Sequence, residues 1–136
     1  IAPDFEFVST LHPSVIIGKN VTIGKGTIMM AGCIVSPNTS IGEFCFFATG
    51  AILEHNCIMG NFSSISAGSV TGGKVKIGDF TAITLGVTLF DRIEIGEHCV
   101  IGSGSLVTKD LPSFVLAYGS PARIIRERKI GEKYLK

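Results

Sequence analysis

Large apolar residues recur at every sixth position along most of the chain, and no insertion disturbs their register. From residue 11 onward, sixteen of seventeen such positions are large and apolar, and only Thr71 departs from the pattern. A second series, four residues further along, holds mostly smaller side chains such as Val, Thr, Ser, Ala and Cys. Because a period of six contains the strand period of two, each group of six residues predicts a short strand followed by a turn. The large series comprises Leu11, Ile17, Ile23, Met29, Val35, Ile41, Phe47, Leu53, Met59, Ile65, Thr71, Ile77, Ile83, Leu89, Ile95, Ile101 and Val107.

A longer period of 18 residues lies on top of this repeat and is marked by a large apolar residue followed by glycine, as at Ile41 and Gly42. Three groups of six residues therefore form one triangular coil, and successive coils stack so that parallel strand pairing satisfies the backbone N–H and C=O groups. We expect the large series to fill the interior of a prism and the small series to lie where its walls approach. Seventeen groups give between five and six coils, a prism about 27 Å tall at the usual strand spacing.

The repeat divides the chain into three parts. Residues 1–10 form a lead-in without a clear pattern, residues 11–112 form the prism, and residues 113–136 form a C-terminal loop and helix. The helix is predicted from Pro121 to about Ile130, because Ser120 is a favourable N-cap and proline is favoured at the first helical position. The expected fold class is all-β, with one short helix at the C-terminal end.

Composition supports a single strand-rich domain and excludes several classes of protein. The chain has 136 residues, of which 46% are hydrophobic and 17% charged, unlike a disordered and highly charged segment. A net charge of +1 provides no overall field that would favour nucleic acid. No apolar run approaches the roughly 18 residues of a transmembrane helix, and no basic segment followed by an apolar stretch marks a secretory signal. We expect no membrane span and no nucleic-acid partner.

Four cysteines and three histidines are candidates for metal binding or disulfides. The cysteines all fall in the small series, so we expect buried, reduced core thiols, which fits a cytoplasmic protein. The histidines are 43 residues apart, which is not a multiple of 18, so they lie on different sides and different coils. No zinc site within one chain is expected. These residues are Cys33, Cys45, Cys57, Cys99, His12, His55 and His98.

The strict period resembles that of the hexapeptide-repeat, left-handed β-helix family. The left hand follows from the resemblance alone, since parallel crossovers are right-handed as a rule. The match begins at the His12-Pro13-Ser14 segment and continues to the tail, so it covers nearly the whole chain. Full-length relatives also carry an N-terminal nucleotide-sugar-binding domain before that segment. The present sequence lacks it, so we expect either a piece of a longer protein or a shorter relative.

The segment from Gly50 to Phe62 is similar to the active-site stretch of the sialic acid O-acetyltransferase and nucleotide-sugar N-acetyltransferase group in this family. In that group the histidine is the general base, which implies this role for His55. The chemistry requires a base, because an amine or hydroxyl loses a proton as it attacks a thioester, and imidazole suits that task near neutral pH. His55 falls outside both inward series, and its phase alone fits equally an exposed histidine on a polar edge.

Two positions depart from the family pattern. Relatives often carry an acid directly after the histidine to orient it, whereas this chain has Asn56, which accepts a hydrogen bond without bringing a charge. Glu54, on the other side, is a candidate substitute. Many relatives carry a second histidine nine residues on, near the acetyl thioester, and this chain has Ser64 there. A serine hydroxyl can donate a hydrogen bond to a carbonyl, so the role is open to it.

A second segment, from Ile101 to Pro112 and then from Gly119 to Arg123, is similar to the terminal signature of acetyl-CoA-dependent members of the family. The resemblance implies that acetyl-CoA lies along the prism, where small residues admit its pantetheine arm and backbone N–H groups hold the thioester oxygen. Its phosphates would lie towards six bases in the last fourteen positions, although a solvated helix surface also explains those bases. The small residues of this segment are equally well explained by a tight last coil of the prism that binds no ligand. The candidate acetyl-CoA residues are Ser64, Leu85, Gly86, Gly102, Ser103, Gly104 and Arg123.

The resemblance thus implies an acetyl-CoA-dependent acetyltransferase that acts on an amine or hydroxyl of a nucleotide-linked sugar by direct transfer. It also implies a homotrimer with the active site in the groove between two prisms. Phe44, Phe62 and Phe80 recur at 18-residue spacing and predict either a stripe that assembly covers or a local ladder under the chain's own tail. A non-catalytic β-helical scaffold or trimerisation module of the same fold is the alternative, and acetyl-CoA binding discriminates between the two.

Overall fold

The repeat folds into seventeen two-residue strands, one for each group of six residues. The structure, a computed structural model, describes residues 4–133. The strands follow one another around a prism in rotation, so that every third strand belongs to the same wall. In chain order they are β1 (Thr10–Leu11), β2 (Ile16–Ile17), β3 (Thr22–Ile23), β4 (Ile28–Met29), β5 (Ile34–Val35), β6 (Ser40–Ile41), β7 (Phe46–Phe47), β8 (Ile52–Leu53), β9 (Ile58–Met59), β10 (Ser64–Ile65), β11 (Val70–Thr71), β12 (Lys76–Ile77), β13 (Ala82–Ile83), β14 (Thr88–Leu89), β15 (Glu94–Ile95), β16 (Val100–Ile101) and β17 (Leu106–Val107).

Three parallel sheets form the walls of the prism. Face A contains β1, β4, β7, β10, β13 and β16; face B contains β2, β5, β8, β11, β14 and β17; and face C contains β3, β6, β9, β12 and β15. Neighbouring strands within a face are 18 residues apart, as in the pairing of Ile28 with Phe46. The predicted parallel β-helix with two superimposed periods is confirmed.

The large series forms the core of the prism, as predicted. From Met29 to Val107 every member of the series is at most 4% exposed. Thr71, the polar exception, is also buried, and its hydroxyl accepts the N–H of Glu54 at 3.0 Å. Members on the first coil are more exposed, with Ile17 at 38%, because that coil lies at the end of the stack.

The small series adds a second set of hydrogen bonds inside the prism. From Thr27 to Thr81 its hydroxyl and thiol groups donate to the backbone carbonyl of the residue 15 positions later, whereas Cys99 and Ser105, near the end of the prism, donate to the carbonyls of Pro112 and Gly102. Ser63 Oγ donates to the Gly78 carbonyl at 2.8 Å, and Cys45 Sγ donates to the Gly60 carbonyl at 3.1 Å. Small size therefore explains only part of the series, because a donor is also useful at these positions.

The four cysteines of this series are buried and free, as predicted. Burial raises the pKa of the thiols of Cys33, Cys45, Cys57 and Cys99 above the ordinary value. The thiols therefore remain protonated at neutral pH and act as hydrogen-bond donors in the core.

Every sixth residue from Asn20 to Gly104 adopts left-handed backbone angles, with φ between 53° and 75°, and turns the chain into the next wall. These residues form three columns along the prism. The polar corner, between faces B and C, contains Asn20, Asn38, Asn56, Lys74 and Arg92. The aromatic corner, between faces C and A, contains Gly26, Phe44, Phe62, Phe80 and His98. The glycine corner, between faces A and B, contains Gly32, Gly50, Gly68, Gly86 and Gly104.

The aromatic corner is a ladder of stacked rings. Successive centroids from Phe44 onward are 4.8 to 5.3 Å apart, and the ring planes differ by no more than 14°. Stacking offsets part of the cost of left-handed angles at bulky residues. Phe62 and Phe80 remain about half exposed, with residues 128–133 of the tail alongside. The stripe is therefore a ladder beside the chain's own tail. Its rings belong to Phe44, Phe62, Phe80, His98 and Phe114.

The predicted C-terminal helix is wrong. β18 (Val115–Gly119) pairs in parallel with β16, and β19 (Ala122–Glu127) returns antiparallel to β18, with Ser120 and Pro121 forming the turn. A helix of about ten residues is marginal in water on its own, whereas the open edge of β16 offers unpaired backbone groups and β-branched residues such as Ile124 favour strands. Residues 4–133 contain no helix, and hence none long and apolar enough to cross a membrane.

The buried thiols predict a loss of stability at alkaline pH. In the unfolded chain a thiol ionises with a pKa of 9.0, and burial raises that pKa in the folded chain. The contribution of the thiols to the free energy of unfolding is therefore complete below that unfolded pKa of 9.0 and is lost as pH rises through the folded pKa. Urea unfolding followed from neutral to alkaline pH measures this loss.

A matched control replaces all four cysteines by serine, the residue that the chain itself uses in this series at Ser63, Ser69 and Ser105. The variant keeps a donor at each position and removes the ionisation. Its alkaline loss should be smaller than that of the parent, and an equal loss in both proteins would contradict the prediction.

Candidate active site

His55 lies on the outer surface of the polar corner, immediately after face B ends. It follows β8 and precedes Asn56, whose left-handed angles turn the chain into face C. Its side chain is exposed, and its backbone carbonyl accepts the N–H of Lys74 from the next coil at 2.8 Å. The histidine is therefore outside the core, as its phase predicts, and the ladder between coils fixes the position of its backbone.

Asn56 selects the tautomer of the imidazole. His55 Nδ1 lies 3.0 Å from Asn56 Oδ1. Because an amide oxygen only accepts hydrogen bonds, Nδ1 carries the proton and donates it, and the lone pair is left on Nε2. Asn56 thus orients the ring and leaves the basic nitrogen, Nε2, next to Gly73, without adding a negative charge.

Gly73 forms the surface on which the imidazole rests. It lies 18 residues after His55, and a Cβ placed on it would overlap the His55 ring at Nε2 and Cε1. The Gly73 N–H donates to Asp91 Oδ1 at 2.7 Å. Gly73 is absent from the residues predicted from the sequence, although the 18-residue period was sufficient to find it, since residue i+18 stacks on residue i.

A cleft of about 220 Å³ opens beside His55. Its other walls are Gly73, Lys74, Asp91 and Arg92. The cleft therefore combines a basic imidazole, two cations, one carboxylate and bare backbone. None of these four neighbours was predicted as a site residue, because a charged corner residue is typical of an ordinary surface until the period places it beside His55.

Glu54 is not the residue that orients the imidazole. It is half-buried at the end of face B, its N–H donates to Thr71 Oγ1, and its carbonyl accepts the hydroxyl of Thr39 at 3.0 Å. Across residues 4–133, the one side-chain partner of the His55 ring is Asn56, and the Glu54 carboxylate makes no bond to it. The residue that holds the His55 ring is therefore Asn56.

The other two histidines lie on different columns. His12, on the first coil, has Nδ1 2.8 Å from Ser14 Oγ, and His98 is stacked in the aromatic ladder. Among the residues that the structure describes, no three His, Cys, Asp or Glu side chains are grouped to hold a metal ion.

Most of the candidate acetyl-CoA residues meet at the glycine corner, on the later coils of the prism. Leu85, Gly102 and Ser103 line a cleft of about 420 Å³ there, and the Gly104 N–H donates to the Leu85 carbonyl at 2.8 Å. Gly86 is the corner residue of the same region, with open space where a side chain would project. Because Asn, Lys and Phe adopt the same angles at the other corners, the turn alone does not require glycine; a bare backbone also admits a close neighbour.

Ser64 and Arg123 lie apart from that group. Ser64, on face A, lines a larger cleft of about 710 Å³ between the aromatic corner and the tail. Arg123 lies on the exposed strand β19, where its Nη1 donates to the carbonyl of Ala122 at 3.2 Å. The structure therefore brings the glycine-corner residues together and leaves these two on neighbouring surfaces.

The C-terminal bases fall into two kinds. Arg128 donates to the carbonyl of His98 at 2.9 Å, and Arg126 pairs with the carboxylate of Glu132 at 2.6 Å, so both hold the tail in place. The others have exposed side chains, and two of them line the large cleft. The exposed bases are Arg123, Lys129 and Lys133, and Lys136 lies outside the described residues.

His55 lies apart from the candidate acetyl-CoA residues on one prism, with face B between the polar corner and the glycine corner. The polar corner joins faces B and C, so it stands opposite face A in the triangular cross-section. Buried side chains such as Leu53 and Ile65, both 0% exposed, fill the space between. Within residues 4–133, therefore, His55 and Ser64 share no cleft.

Comparison with curated proteins gives one short match. No protein-family model matches the chain. A stretch of 27 residues is 56% identical to dTDP-3-amino-3,6-dideoxy-alpha-D-galactopyranose 3-N-acetyltransferase of Aneurinibacillus thermoaerophilus, which is 20% of this chain and 14% of that protein. The match is local and carries no argument about the whole protein.

Solved structures match most of the chain. A histidine-to-alanine variant of GDP-perosamine N-acetyltransferase from Caulobacter crescentus, in complex with CoA and GDP-perosamine, superimposes with a TM-score of 0.89 and 31% identity over 90% of this chain and 59% of that chain. The acetyltransferase domain of PglB from Neisseria gonorrhoeae superimposes with a TM-score of 0.89 and 25% identity over 91% of this chain and 60% of that chain. A variant of AntD, an N-acyltransferase from Bacillus cereus, shares the fold with a TM-score of 0.80 and 20% identity over 91% of this chain and 86% of that chain.

These superpositions also settle the hand of the coil, because a prism of the opposite hand would not superimpose at such scores. The β-helix is left-handed, as the resemblance implies. The chain spans about three fifths of the length of the Caulobacter and Neisseria chains. The chain has the hexapeptide-repeat, left-handed β-helix fold, and its structural neighbours of this fold include these sugar N-acetyltransferases.

Proposed function

We propose that this protein is an acetyl-CoA-dependent acetyltransferase that acts on an amine or hydroxyl of a sugar, with nucleotide-linked sugars as the substrate class. The observation that carries the proposal is the setting of His55. Its imidazole is exposed, holds its proton on Nδ1 through Asn56, and rests on the bare backbone of Gly73. The complex of the Caulobacter enzyme with CoA and a nucleotide sugar supports the choice of substrates.

His55 is the general base in this proposal. Its Nε2 takes the proton from the acceptor nitrogen or oxygen as that atom attacks the thioester carbonyl carbon, so a C–N or C–O bond forms and the C–S bond breaks. Asn56 Oδ1 accepts the hydrogen bond from Nδ1–H during the whole reaction and keeps the ring oriented. The proton on Nε2 then passes to the departing thiolate, which leaves as the thiol of CoA.

The acetyl group is transferred directly, without an acetylated protein. A covalent intermediate would need an exposed, activated nucleophile beside the donor. The four thiols are buried and donate to backbone carbonyls. Burial also raises their pKa, which disfavours the reactive thiolate.

Acetyl-CoA lies along face A and the glycine corner in this proposal. The bare backbone at Gly86 and Gly104 suits a narrow pantetheine arm, and the hydroxyl of Ser64 is available to donate to the thioester carbonyl. The exposed cations Arg123 and Lys129 attract the phosphates. Arg126 and Arg128, which hold the tail in place, have no part in this attraction.

A second copy of the chain completes the active site, in a homotrimer. Faces A and B expose apolar side chains, such as Phe46 on face A and Ile16 on face B, whereas on face C the exposed Ile58 is followed along the wall by Lys76 and Glu94. Packing face A of one copy against face B of the next covers both faces and closes a ring of three. Because the polar corner borders face B, this packing brings His55 of one copy beside face A of its neighbour.

Replacing His55 by alanine should reduce acetyl transfer by about 10²–10⁴-fold, the usual contribution of a general base. The side chain is exposed, so its loss opens no core cavity and the free energy of unfolding should change little. Acetyl-CoA binding should also persist. Release of CoA thiol with a panel of nucleotide-linked amino sugars measures the reaction.

The matched control is His12→Ala, which removes an exposed histidine from the first coil. It should leave turnover unchanged. Near-normal turnover by His55→Ala would overturn the mechanism. Failure of the unsubstituted protein to bind acetyl-CoA would favour the non-catalytic scaffold of the same fold.

Replacing Asn56 by aspartate should move the acid limb of the rate profile to higher pH. A carboxylate accepts the same Nδ1–H bond and adds a negative charge, which favours the protonated imidazolium over the neutral base. Turnover measured across a pH series tests the shift. Asn20→Asp, two coils away on the same corner, is the control, and an equal shift in both variants would contradict the role of Asn56.

A further inference from the structure

The polar corner changes its composition directly after the coil of His55. Its first three members are Asn20, Asn38 and Asn56, and asparagine is among the residues that best tolerate left-handed angles. The next two are Lys74 and Arg92, with φ of 59° and 60°. Lysine and arginine have no such preference, so the turn itself does not explain why they replace asparagine there.

Both cations line the cleft of about 220 Å³ that contains His55. Lys74 is the corner residue one coil after Asn56, and Arg92 follows one coil later. The Lys74 N–H binds the His55 carbonyl, and the Arg92 N–H binds the Gly73 carbonyl at 2.9 Å. The two side chains therefore start from backbone positions fixed relative to the imidazole.

Within the described part of the chain, neither cation forms an ion pair. The ion pair found among residues 4–133 joins Arg126 and Glu132, in the tail. Asp91, the carboxylate of the cleft, accepts the Gly73 N–H at Oδ1. With the imidazole neutral, two positive charges and one negative charge leave the cleft with a net charge of +1.

An ordinary surface lysine on the same coil is placed differently. Lys76, on face C, lies directly across the ladder from Glu94, so an opposite charge stands next to it. The residue one coil after Lys74 is a second cation, Arg92, and Lys74 stands beside His55. The cleft thus has the size, charge and donors to hold one small anionic group.

We propose that Lys74 and Arg92 bind an anionic group of the acceptor, phosphate or carboxylate, and thereby set its nucleophilic atom at His55 Nε2. The inference rests on the proposed function only in taking His55 as the base. Two acceptors present such oxygens: a sugar linked to a nucleoside diphosphate, and a sugar that carries its own carboxylate. Arg92 offers a planar fork to paired oxygens, and Lys74 offers a point charge.

The test is a binding titration on the full chain without acetyl-CoA, so that it stands apart from whether acetyl transfer occurs. Inorganic pyrophosphate represents the diphosphate and glucuronate the carboxylate. The imidazole C–H signals of His55 in NMR spectra, assigned with His55→Ala, report binding beside the ring. We expect at least one anion to shift these signals saturably, and the anion that binds more tightly identifies the source.

The variants Lys74→Asn and Arg92→Asn restore the residue that the corner uses on its other coils, so the turn is kept. Combined, they should weaken the binding by about tenfold or more, since each removes a charge-assisted bond. Lys76→Asn removes a lysine of the same coil outside the cleft and should leave the affinity unchanged. Equal affinity in the double variant and the parent, or no shift of the His55 signals with either anion, would overturn the proposal.

Once an acceptor that supports turnover is known, steady-state kinetics provide a second readout. The double variant should raise KM for the anionic acceptor while KM for acetyl-CoA stays the same, because the two substrates use different surfaces. A rise in both constants would show a general disturbance of the fold and would contradict a specific role in acceptor binding.

Discussion

The parallel hydrogen-bond ladder between residues 18 apart is the constraint on which the rest of the structure depends. It places every residue on top of the one that occupies the same position in the preceding coil, so side chains form columns along the prism. The core, the corners and the walls each consist of such columns, and each column has its own chemistry. The column that begins with three asparagines ends in Lys74 and Arg92, and the neighbouring column sets His55 against Gly73.

A solid prism leaves catalysis only its outer surface. The large series fills the interior, and the buried hydroxyls and thiols of the small series bond to backbone carbonyls, so the core holds no space for a substrate. Active sites need concave, partly desolvated surroundings. On one prism, the cleft beside His55 and the cleft at the glycine corner are separate, and each holds only part of the proposed site. The separation of His55 from face A is therefore what this architecture leads us to expect of a site built by two copies.

Periodicity made most of the fold predictable from the sequence, because each column follows from one register that never shifts. It identified the buried cysteines and the outward His55, and the same arithmetic leads directly to Gly73. The tail was not predictable in this way, because Ser120 and Pro121 resemble a helix start locally, and the free edge of β16 that captures β18 is a property of the folded prism. The partner of the imidazole was equally hidden, since the sequence places both Glu54 and Asn56 beside His55 and only the folded corner brings Asn56 Oδ1 to 3.0 Å from Nδ1.

The measurement that most directly tests the two-copy site is activity after mixing two inactive variants. One variant is His55→Ala, which lacks the base, and the other is Leu85→Glu, which places a negative charge in the cleft at the glycine corner. Unfolded together and refolded as mixed trimers, they should recover about one quarter of the activity of the unsubstituted protein, because an intact His55 meets an intact face A at one site in four. A mixture as inactive as either variant alone would show that one chain supplies the whole site and would contradict the account.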